Sequence, residues 1–97
     1  FSLRLKGYRI LSRRFRTRVG EIDIIARRGH LIAFIEVKQR PTRDLCEAAI
    51  TGETRARVRR AADAWLARNE TYHTCAIRFD LVFVVPGQWP IHLPGAL

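Results

Sequence analysis

The sequence predicts an α/β protein in which helices pack on a single layer of mixed β-sheet. Several short segments alternate apolar and polar residues or are apolar throughout, as strands do, and one longer segment carries apolar residues at helical spacing. The predicted order of elements is α-β-β-β-α-β, with a short fifth strand near the end of the chain. No internal repeat or linker interrupts the 97 residues, which indicates one domain over residues 1–97.

The predicted strands differ in how much of their surface is apolar. Arginines in the first strand are typical of a sheet edge, whereas the third strand is apolar on both faces until its end and is typical of a central position. Pro41 ends that third strand. The predicted strands are Tyr8–Phe15, Glu21–Arg27, Leu31–Lys38, Ala76–Val85 and, as the short fifth, Trp89–Leu93.

One long helix is predicted between the third and fourth strands. Thr51 is the expected N-cap and the helix is expected to run to about Arg68. The segment 40–52 before it is either irregular or holds a short helix at Asp44–Ile50. Residues 1–6 are expected to be the end of a helix whose beginning precedes this chain. The apolar positions at helical spacing in the long helix are Val58, Ala61, Ala62, Trp65 and Leu66.

Composition favours a polyanionic partner. The chain has 18 Lys and Arg against 9 Asp and Glu, a net charge of +9, so nucleic acid is the first expectation and an acidic membrane surface the second. No apolar run approaches the ~20 residues of a membrane span, and we expect DNA rather than a membrane. The alternative is that the arginines reflect compositional bias alone. The candidates for contact with the phosphate backbone are Arg16, Arg18, Arg40, Arg43, Arg55, Arg57, Arg59 and Arg60.

The two cysteines indicate the compartment. Cys46 and Cys75 form no C-x-x-C pair and have no nearby set of metal ligands. A disulfide framework is not expected, and a reducing, cytoplasmic interior fits this usage better.

The strongest chemical signal is a set of acids on two neighbouring strands. If Arg28-Gly29 forms a two-residue turn, Glu21 lies opposite Glu36, whereas a four-residue loop places Asp23 opposite Glu36. In both registers the three acids and Lys38 project from the same face, because side chains alternate along a strand and cross-strand neighbours share a side. The sequence therefore predicts that these four side chains converge.

Such a cluster needs a counter-charge. Two like charges ~4 Å apart repel by ~4 kcal/mol at an effective dielectric constant of 20. Lys38 supplies one positive charge, and a divalent cation between Asp23 and Glu36 would supply two more. The alternative is a solvated surface on which Glu36 and Lys38 balance each other. In a basic chain, the first interpretation indicates metal-dependent cleavage of a phosphodiester.

The motifs in this order resemble a known family. The run GYRILSRRFRTRVGEIDIIARRGHLIAFIEVKQR, residues 7–40, with the later Arg78-Phe79-Asp80, resembles the YraN-like family of small bacterial predicted endonucleases. That family is similar in fold to the archaeal Holliday-junction resolvases, and both belong to the PD-(D/E)XK nuclease superfamily. The resemblance covers most of the chain. It implies a restriction-endonuclease-like mixed sheet of four to five strands flanked by helices.

The resemblance also implies roles for single residues. Asp23 and Glu36 resemble the two acids that bind Mg²⁺ or Mn²⁺, and the backbone carbonyl of Val37 would be a further ligand. Lys38 resembles the catalytic lysine. Two further candidates for the catalytic set are Gln39, which follows the lysine as polar residues do in the resolvases, and Glu21, which belongs to the family motif. The family usually carries another glutamate on an N-terminal helix, and this sequence does not contain it.

These observations predict a metal-dependent DNA endonuclease. Phosphate contacts carry little sequence information, so the structure of the DNA (a junction, a flap or an end) is expected to decide the substrate. The resemblance to the resolvases implies a homodimer, because cutting two strands of a junction calls for two symmetric sites. One alternative is a non-catalytic nucleic-acid-binding module that retains the nuclease fold. Another is an accessory protein that joins a larger assembly through its basic face.

Overall fold

The computed structural model of this protein describes residues 3 and 6–97. The helix end expected at residues 1–6 falls for the most part outside the described residues. A 3₁₀ turn at Glu70–Tyr72 follows the second helix. The strands and helices are, in chain order, β1 (Arg9–Arg16), β2 (Glu21–Arg28), β3 (Leu31–Gln39), α1 (Arg43–Ala48), α2 (Gly52–Arg68), β4 (Ala76–Val84) and β5 (Ile91–Leu93).

The strands form one mixed sheet in the order β1-β2-β3-β4-β5. Strands β1, β2 and β3 are an antiparallel meander, β3 and β4 pair in parallel, and β5 returns antiparallel to β4. The connection between the two parallel strands contains both helices, as a parallel crossover requires. The predicted fold class is confirmed: the protein is α/β, with a five-stranded mixed sheet and helices packed on it, consistent with a restriction-endonuclease-like fold.

Strand β3 is central, as its apolar sequence predicts, and its residues alternate between two cores. Phe34 packs in the larger cluster together with Val58 and Trp65 of α2. The next residue, Ile35, packs in a smaller cluster on the other face with Tyr8. The Phe34 and Trp65 rings meet edge to face, with their centroids 5.9 Å apart. Because both faces of this part of β3 are buried, neither face carries polar side chains there, which explains the continuous apolar run.

Both helices begin at threonine caps. The Thr51 hydroxyl accepts a hydrogen bond from the Thr54 amide of α2, and the Thr54 hydroxyl bonds back to the Thr51 amide. This reciprocal pair satisfies two amides that the first helical turn would otherwise leave unpaired. Thr42 caps α1 by accepting from the Leu45 amide, so the short-helix alternative for segment 40–52 is the correct one. In the described part of the chain, no helix has the length and apolarity needed to cross a membrane.

The turn between β2 and β3 differs from the prediction by one residue. The strands pair Arg28 with Leu31, so the two turn residues are Gly29 and His30 rather than Arg28 and Gly29. Gly29 has a φ of +60°. Glycine is favoured at the first central position of a type II′ hairpin turn, where φ is positive, and this preference shifts the turn. The resulting register is the one in which Asp23 lies opposite Glu36.

Gly20 allows α2 to approach the start of β2 very closely. A Cβ atom at this position would lie 2.0 Å from the carbonyl oxygen of Arg57, in the second turn of α2. No side chain fits there unless the helix moves. The contact sets the spacing between α2 and the strand that carries Glu21 and Asp23.

Candidate active site

The predicted cluster of acids lies in a cleft between the sheet and α2. The cleft has a volume of about 230 Å³. Its walls come from the start of β2, the end of β3 and the first two turns of α2. The residues that line it are Glu21, Asp23, Glu36, Val37, Lys38, Thr54, Arg57 and Val58.

Asp23 and Glu36 meet at the point where β2 and β3 separate. The last cross-strand pair is Ile24 with Ile35, so Asp23 and Glu36 are the next residues in register. Beyond that pair, Asp23 Oδ2 accepts a hydrogen bond of 2.7 Å from the Val37 amide. The carboxylate thus takes the place of a backbone partner and is held against β3.

The same contact indicates where the Val37 carbonyl lies. The amide and carbonyl of one strand residue point to the same edge of the strand. Because the Val37 amide faces Asp23, its carbonyl faces the edge that β2 has left. Val37 also lines the cleft, so its carbonyl stays a candidate for the metal ligand that the resemblance implies.

The cleft holds more negative charge than its own lysine balances. Lys38 Nζ lies 3.1 Å from Glu36 Oε2, and both side chains are largely buried. Burial, followed by a hydrogen bond to Asp23 and the negative charge of Asp23, raises the pKa of Glu36 from 4.5 to about 7. Lys38 acts in the opposite direction but does not cancel these effects. Glu36 therefore holds its proton to a higher pH than an exposed glutamate does, first because it is buried and second because it shares the site with Asp23.

Helix α2 contributes two polar residues to the opposite wall. The Thr54 hydroxyl is already engaged, since it takes part in the helix cap and donates to the Ala49 carbonyl at 3.2 Å. In contrast, the guanidinium of Arg57 has no hydrogen bond or ion pair within the described residues. Arg57 thus presents an uncommitted positive charge across the cleft from the acids.

Gln39 lies outside this cleft. It lines a neighbouring groove together with Arg40, Pro41 and Pro86. Side chains alternate along β3, so Gln39 and Lys38 point to opposite faces of the sheet. The cleft is formed without Gln39, and the catalytic role expected for this residue has no geometric support.

The candidate arginines are spread over several elements, and only Arg57 lines the cleft. The guanidinium of Arg40 bonds back to the Gln39 carbonyl at 2.8 Å, and that of Arg18 has no bonded partner among residues 3 and 6–97. The remaining five are exposed and bonded to the protein, as the pairs Arg16–Glu21, Arg43–Glu47, Arg60–Glu53, Arg55–Ala96 and Arg59–Leu97.

The donor atoms of the cleft suit a hard divalent cation. Among residues 3 and 6–97, no group of three or more His, Cys, Asp or Glu side chains is arranged to hold a metal ion. Glu21 pairs with Arg16, which leaves the carboxylates of Asp23 and Glu36 and the backbone carbonyl of Val37 as candidate ligands, all of them oxygen donors. Mg²⁺ is commonly held by only one or two carboxylates and keeps several waters or substrate phosphates, so the residues fit this ion. Mn²⁺ accepts the same donors.

A buried ionic network lies on the other face of the sheet, and sequence reasoning noticed it only as the motif Arg78-Phe79-Asp80. Arg78 donates two hydrogen bonds of 2.7 Å to the fully buried Asp80. Asp80 also accepts from His92 Nε2 and from the Gly95 amide, each at 2.9 Å. Burial raises the pKa of Asp80, but the hydrogen bonds from Arg78, Gly95 and His92 outweigh it and lower this pKa. The network joins β4 to β5 and to the end of the chain.

The chain is similar to members of one protein family. Residues 1–84 match the family described as "Uncharacterised protein family UPF0102". A "UPF0102 protein" of Chelativorans sp. (strain BNC1) is 52% identical over 93 residues, which are 96% of this chain and 75% of the relative. A second, of Rhizobium meliloti (strain 1021), is 51% identical over 94 residues, 97% of this chain and 77% of the relative. A third, of Methylorubrum populi, is 55% identical over 95 residues, which are 98% of this chain and 76% of the relative.

Proposed function

The chain belongs to the uncharacterised protein family UPF0102, and on that premise we propose that it is a metal-dependent endonuclease that hydrolyses DNA phosphodiester bonds. The family description names no reaction, so the proposal depends on the cleft. The observation that carries it is the meeting of Asp23, Glu36 and Lys38 at the point where β2 and β3 separate. This arrangement supports the nuclease part of the resemblance to the YraN-like family and to the resolvases.

Asp23, Glu36 and the Val37 carbonyl would hold the divalent ion. Asp23 is fixed by its bond to the Val37 amide, which orients one carboxylate before any ligand arrives. The raised pKa of Glu36 supports the assignment, because burial and the nearby Asp23 disfavour the charged carboxylate, which a bound cation would stabilise. Once bound, Mg²⁺ or Mn²⁺ supplies an acidified water and neutralises charge on the phosphate.

Lys38 and Arg57 would act on the phosphate from two sides. Lys38 Nζ lies 3.1 Å from Glu36 Oε2 and lines the cleft, where its ammonium would orient a water or stabilise negative charge that builds on the phosphorus centre. A lysine suits this position because its compact ammonium can exchange a proton, whereas a guanidinium cannot. Arg57, on the opposite wall, can bind a non-bridging oxygen because no protein group among the described residues occupies it.

The substrate we propose is DNA distinguished by its structure rather than by its sequence. The exposed arginines of the loops and helices can contact phosphates, and such contacts position a duplex without reading its bases. Two copies of the chain acting as a homodimer would present two cleavage sites, as a branched substrate requires.

A second candidate function is a nucleic-acid-binding module without catalysis. The observation that favours it is the absence of any metal-binding group of three acidic, His or Cys side chains in the described part of the chain. Titration with Mn²⁺ separates the two functions. An enzyme should bind Mn²⁺ through Asp23 and Glu36 and lose this binding in the Asp23→Ala variant, whereas a pure binding module shows no Mn²⁺ binding that depends on Asp23.

Cleavage of DNA tests the proposal directly. We expect the purified protein to cut branched or duplex DNA with Mg²⁺ or Mn²⁺ and to stop when EDTA is added. Asp23→Ala and Lys38→Ala should each lower the cleavage rate by about 100-fold or more, since each removes a group that acts on the transition state. The measurement is the initial rate on labelled duplex, flap and four-way junction DNA.

Asp63→Ala is the matched control, because Asp63 is exposed on α2 and lies outside the cleft. This variant should cut at the wild-type rate, and circular dichroism should show all three variants folded. Equal rates in the wild type, Asp23→Ala and Lys38→Ala would contradict the assignment. So would a folded wild-type protein that cuts none of the three substrates with either metal.

A further inference from the structure

We propose that Trp89 and the groove lined by Gln39, Arg40, Pro41 and Pro86 bind an unpaired nucleotide of the DNA. The inference rests on the nucleic-acid-binding part of the proposed function. It goes further in naming unpaired nucleotides as the feature that this protein recognises, and it assigns a site outside the acidic cleft. We call Trp89 together with these four groove residues the Trp89 site.

Trp89 has no structural reason to be a tryptophan within the described fold. Its exposed fraction is 84%, the largest of any bulky apolar side chain among the described residues. The other tryptophan, Trp65, is 5% exposed and stacks on Tyr72 with their ring centroids 5.4 Å apart. Trp65 therefore packs in the core, whereas the indole of Trp89 is exposed to solvent. A large exposed aromatic side chain is typical of a binding surface.

The turn that carries Trp89 is tightly defined. It follows β4, and the Gln88 amide donates to the Val85 carbonyl at 3.1 Å. Gly87 has a φ of +77°, which an ordinary side chain rarely allows. Pro86 and Pro90 restrict the backbone on either side. The indole is thus presented by a constrained turn, and little conformational entropy is lost when a ligand stacks on it.

The groove lies at the same end of the sheet and provides an apolar surface with one cation. The Arg40 amide donates to the Val84 carbonyl at 3.2 Å, which holds the end of β3 beside the end of β4. Pro41 and Pro86 supply apolar surface, and Arg40 supplies positive charge, in a groove of about 400 Å³. Nucleic-acid bases stack on aromatic rings and on arginine, and the two prolines add apolar surface beside them.

Charge favours a nucleic acid as the occupant. The protein carries 18 basic against 9 acidic residues, and Arg40 lines the groove, so a phosphate backbone is attracted to this surface. Bases within a duplex are stacked on both faces and leave no face for an indole. The occupant is therefore an unpaired nucleotide, such as the first base of a flap, an overhang or an opened junction.

The groove of the Trp89 site begins directly after the strand that carries Glu36 and Lys38, so we expect one DNA molecule to reach both sites. Arg40 follows Lys38 by two residues, about 7 Å along an extended strand. The rise of a DNA duplex is ~3.4 Å per base pair. A base held beside Arg40 would therefore place the scissile phosphate within a few nucleotides of the boundary between paired and unpaired DNA.

The test compares DNA binding in EDTA, so that it does not depend on cleavage. The probes are a fully paired duplex, the same duplex with a single-stranded overhang, and a third whose overhang contains abasic sites. We expect the protein to prefer the overhang duplex and the overhang to quench the fluorescence of Trp89. Trp89→Leu should weaken binding to the overhang duplex by about 10-fold and leave the paired duplex unchanged, whereas Trp89→Phe should keep most of the preference.

Ile77→Ala is the control, because Ile77 is also an exposed apolar residue but lies at the opposite end of β4. It should bind all three probes as the wild type does. The abasic overhang should bind like the paired duplex, since it keeps the phosphates but offers no base to stack.

Three results would overturn the inference. The first is equal affinity of the wild type and Trp89→Leu for the overhang duplex. The second is an equal loss of affinity for paired and overhang DNA in Trp89→Leu. The third is a Trp89→Leu variant that binds DNA as the wild type does but has a different oligomeric state by sedimentation. That third result would make a second copy of the chain the occupant. A protein that shows the expected preference but never cleaves DNA would refute the nuclease proposal and leave the Trp89 site standing.

Discussion

The pKa of Glu36 reflects the burial and the charges of the cleft. The side chain is confined between Asp23, which repels its charge, and Lys38, which attracts it. Burial, the largest effect, disfavours the charged form of Glu36, so its protonated form is stabilised. A divalent ion would reverse the balance, because it replaces the proton with two positive charges. Protons and metal ions should therefore compete for this site.

The raised pKa of Glu36 predicts how stability depends on pH without metal. The pKa is about 7 in the folded protein against 4.5 in the unfolded chain, so the contribution of Glu36 to stability is complete below pH 4.5. It is lost as the pH rises through 7. In EDTA, the melting temperature should fall between pH 5 and pH 8 in the wild type, and the fall should be smaller in Glu36→Gln.

Two comparisons sharpen this measurement. Glu70→Gln changes an exposed acid away from the cleft and should keep the pH dependence of the wild type. Mn²⁺ should raise the melting temperature of the wild type more at pH 8 than at pH 5, because fewer protons compete. An identical dependence on pH in the wild type and Glu36→Gln would show that Glu36 does not titrate in this range.

Among the secondary-structure elements, the contact between α2 and β2 decides the shape of the cleft. Strands β2 and β3 bring the acids, but Thr54, Arg57 and Val58 reach them only because the helix lies so near. Gly20 permits this approach, since any Cβ there would collide with the backbone of Arg57. Gly20 therefore permits the close packing that shapes the candidate site.

Gly20→Ala should therefore damage both stability and the cleft. The added methyl group would lie 2.0 Å from the Arg57 carbonyl oxygen, so the helix must shift. Overpacking of this kind costs about 1–3 kcal/mol, which should appear as a lower melting temperature. Because the shift moves Arg57, cleavage of DNA should also slow.

Gly52→Ala provides the matched control for this experiment. Gly52 is the first residue of α2, and a Cβ there meets nothing within 4 Å. This variant should be as stable as the wild type or slightly more stable, by up to about 1 kcal/mol, because alanine loses less backbone entropy in a helix. Equal melting temperatures for Gly20→Ala and the wild type would exclude the close packing described above.

For the molecule as a whole, the sheet separates two polar sites with opposite properties. On the α2 face, the acidic cleft is open and its charges are incompletely balanced. On the other face, Asp80 is fully buried and fully bonded by Arg78, His92 and Gly95. A satisfied network stabilises one arrangement of the chain, whereas an unsatisfied one is suited to a ligand. The contrast supports the proposal that the cleft binds a ligand, whereas the Asp80 network stabilises the fold.

The net charge of +9 predicts a steep dependence of DNA affinity on salt. Log K should fall linearly with log salt concentration, by roughly 0.9 for each phosphate that the protein neutralises. Arg57→Ala should reduce the slope by about 1 and weaken binding to different sequences equally. Fluorescence anisotropy between about 50 and 200 mM salt measures both.

The control for the salt experiment is Arg9→Ala. Arg9 is exposed on the edge strand β1 and is not among the candidate phosphate contacts. This variant should keep the wild-type slope. A flat response of the wild type to salt would rule out binding through the phosphate backbone.

The sequence by itself determined the strands, the long helix with its Thr51 cap, and the shared face of Glu21, Asp23, Glu36 and Lys38. These features follow from local periodicities: alternate strand residues share a face whichever of the two registers forms. For the same reason, the central position of β3 could be predicted from its continuous apolar residues.

Only the tertiary structure decided which residues of α2 face the acids. It also raised the pKa of Glu36 and assembled the Asp80 network from β4, β5 and the chain end. These features depend on distances between segments far apart in the chain. Such distances are set by the packing of whole elements, and no local pattern of residues encodes them.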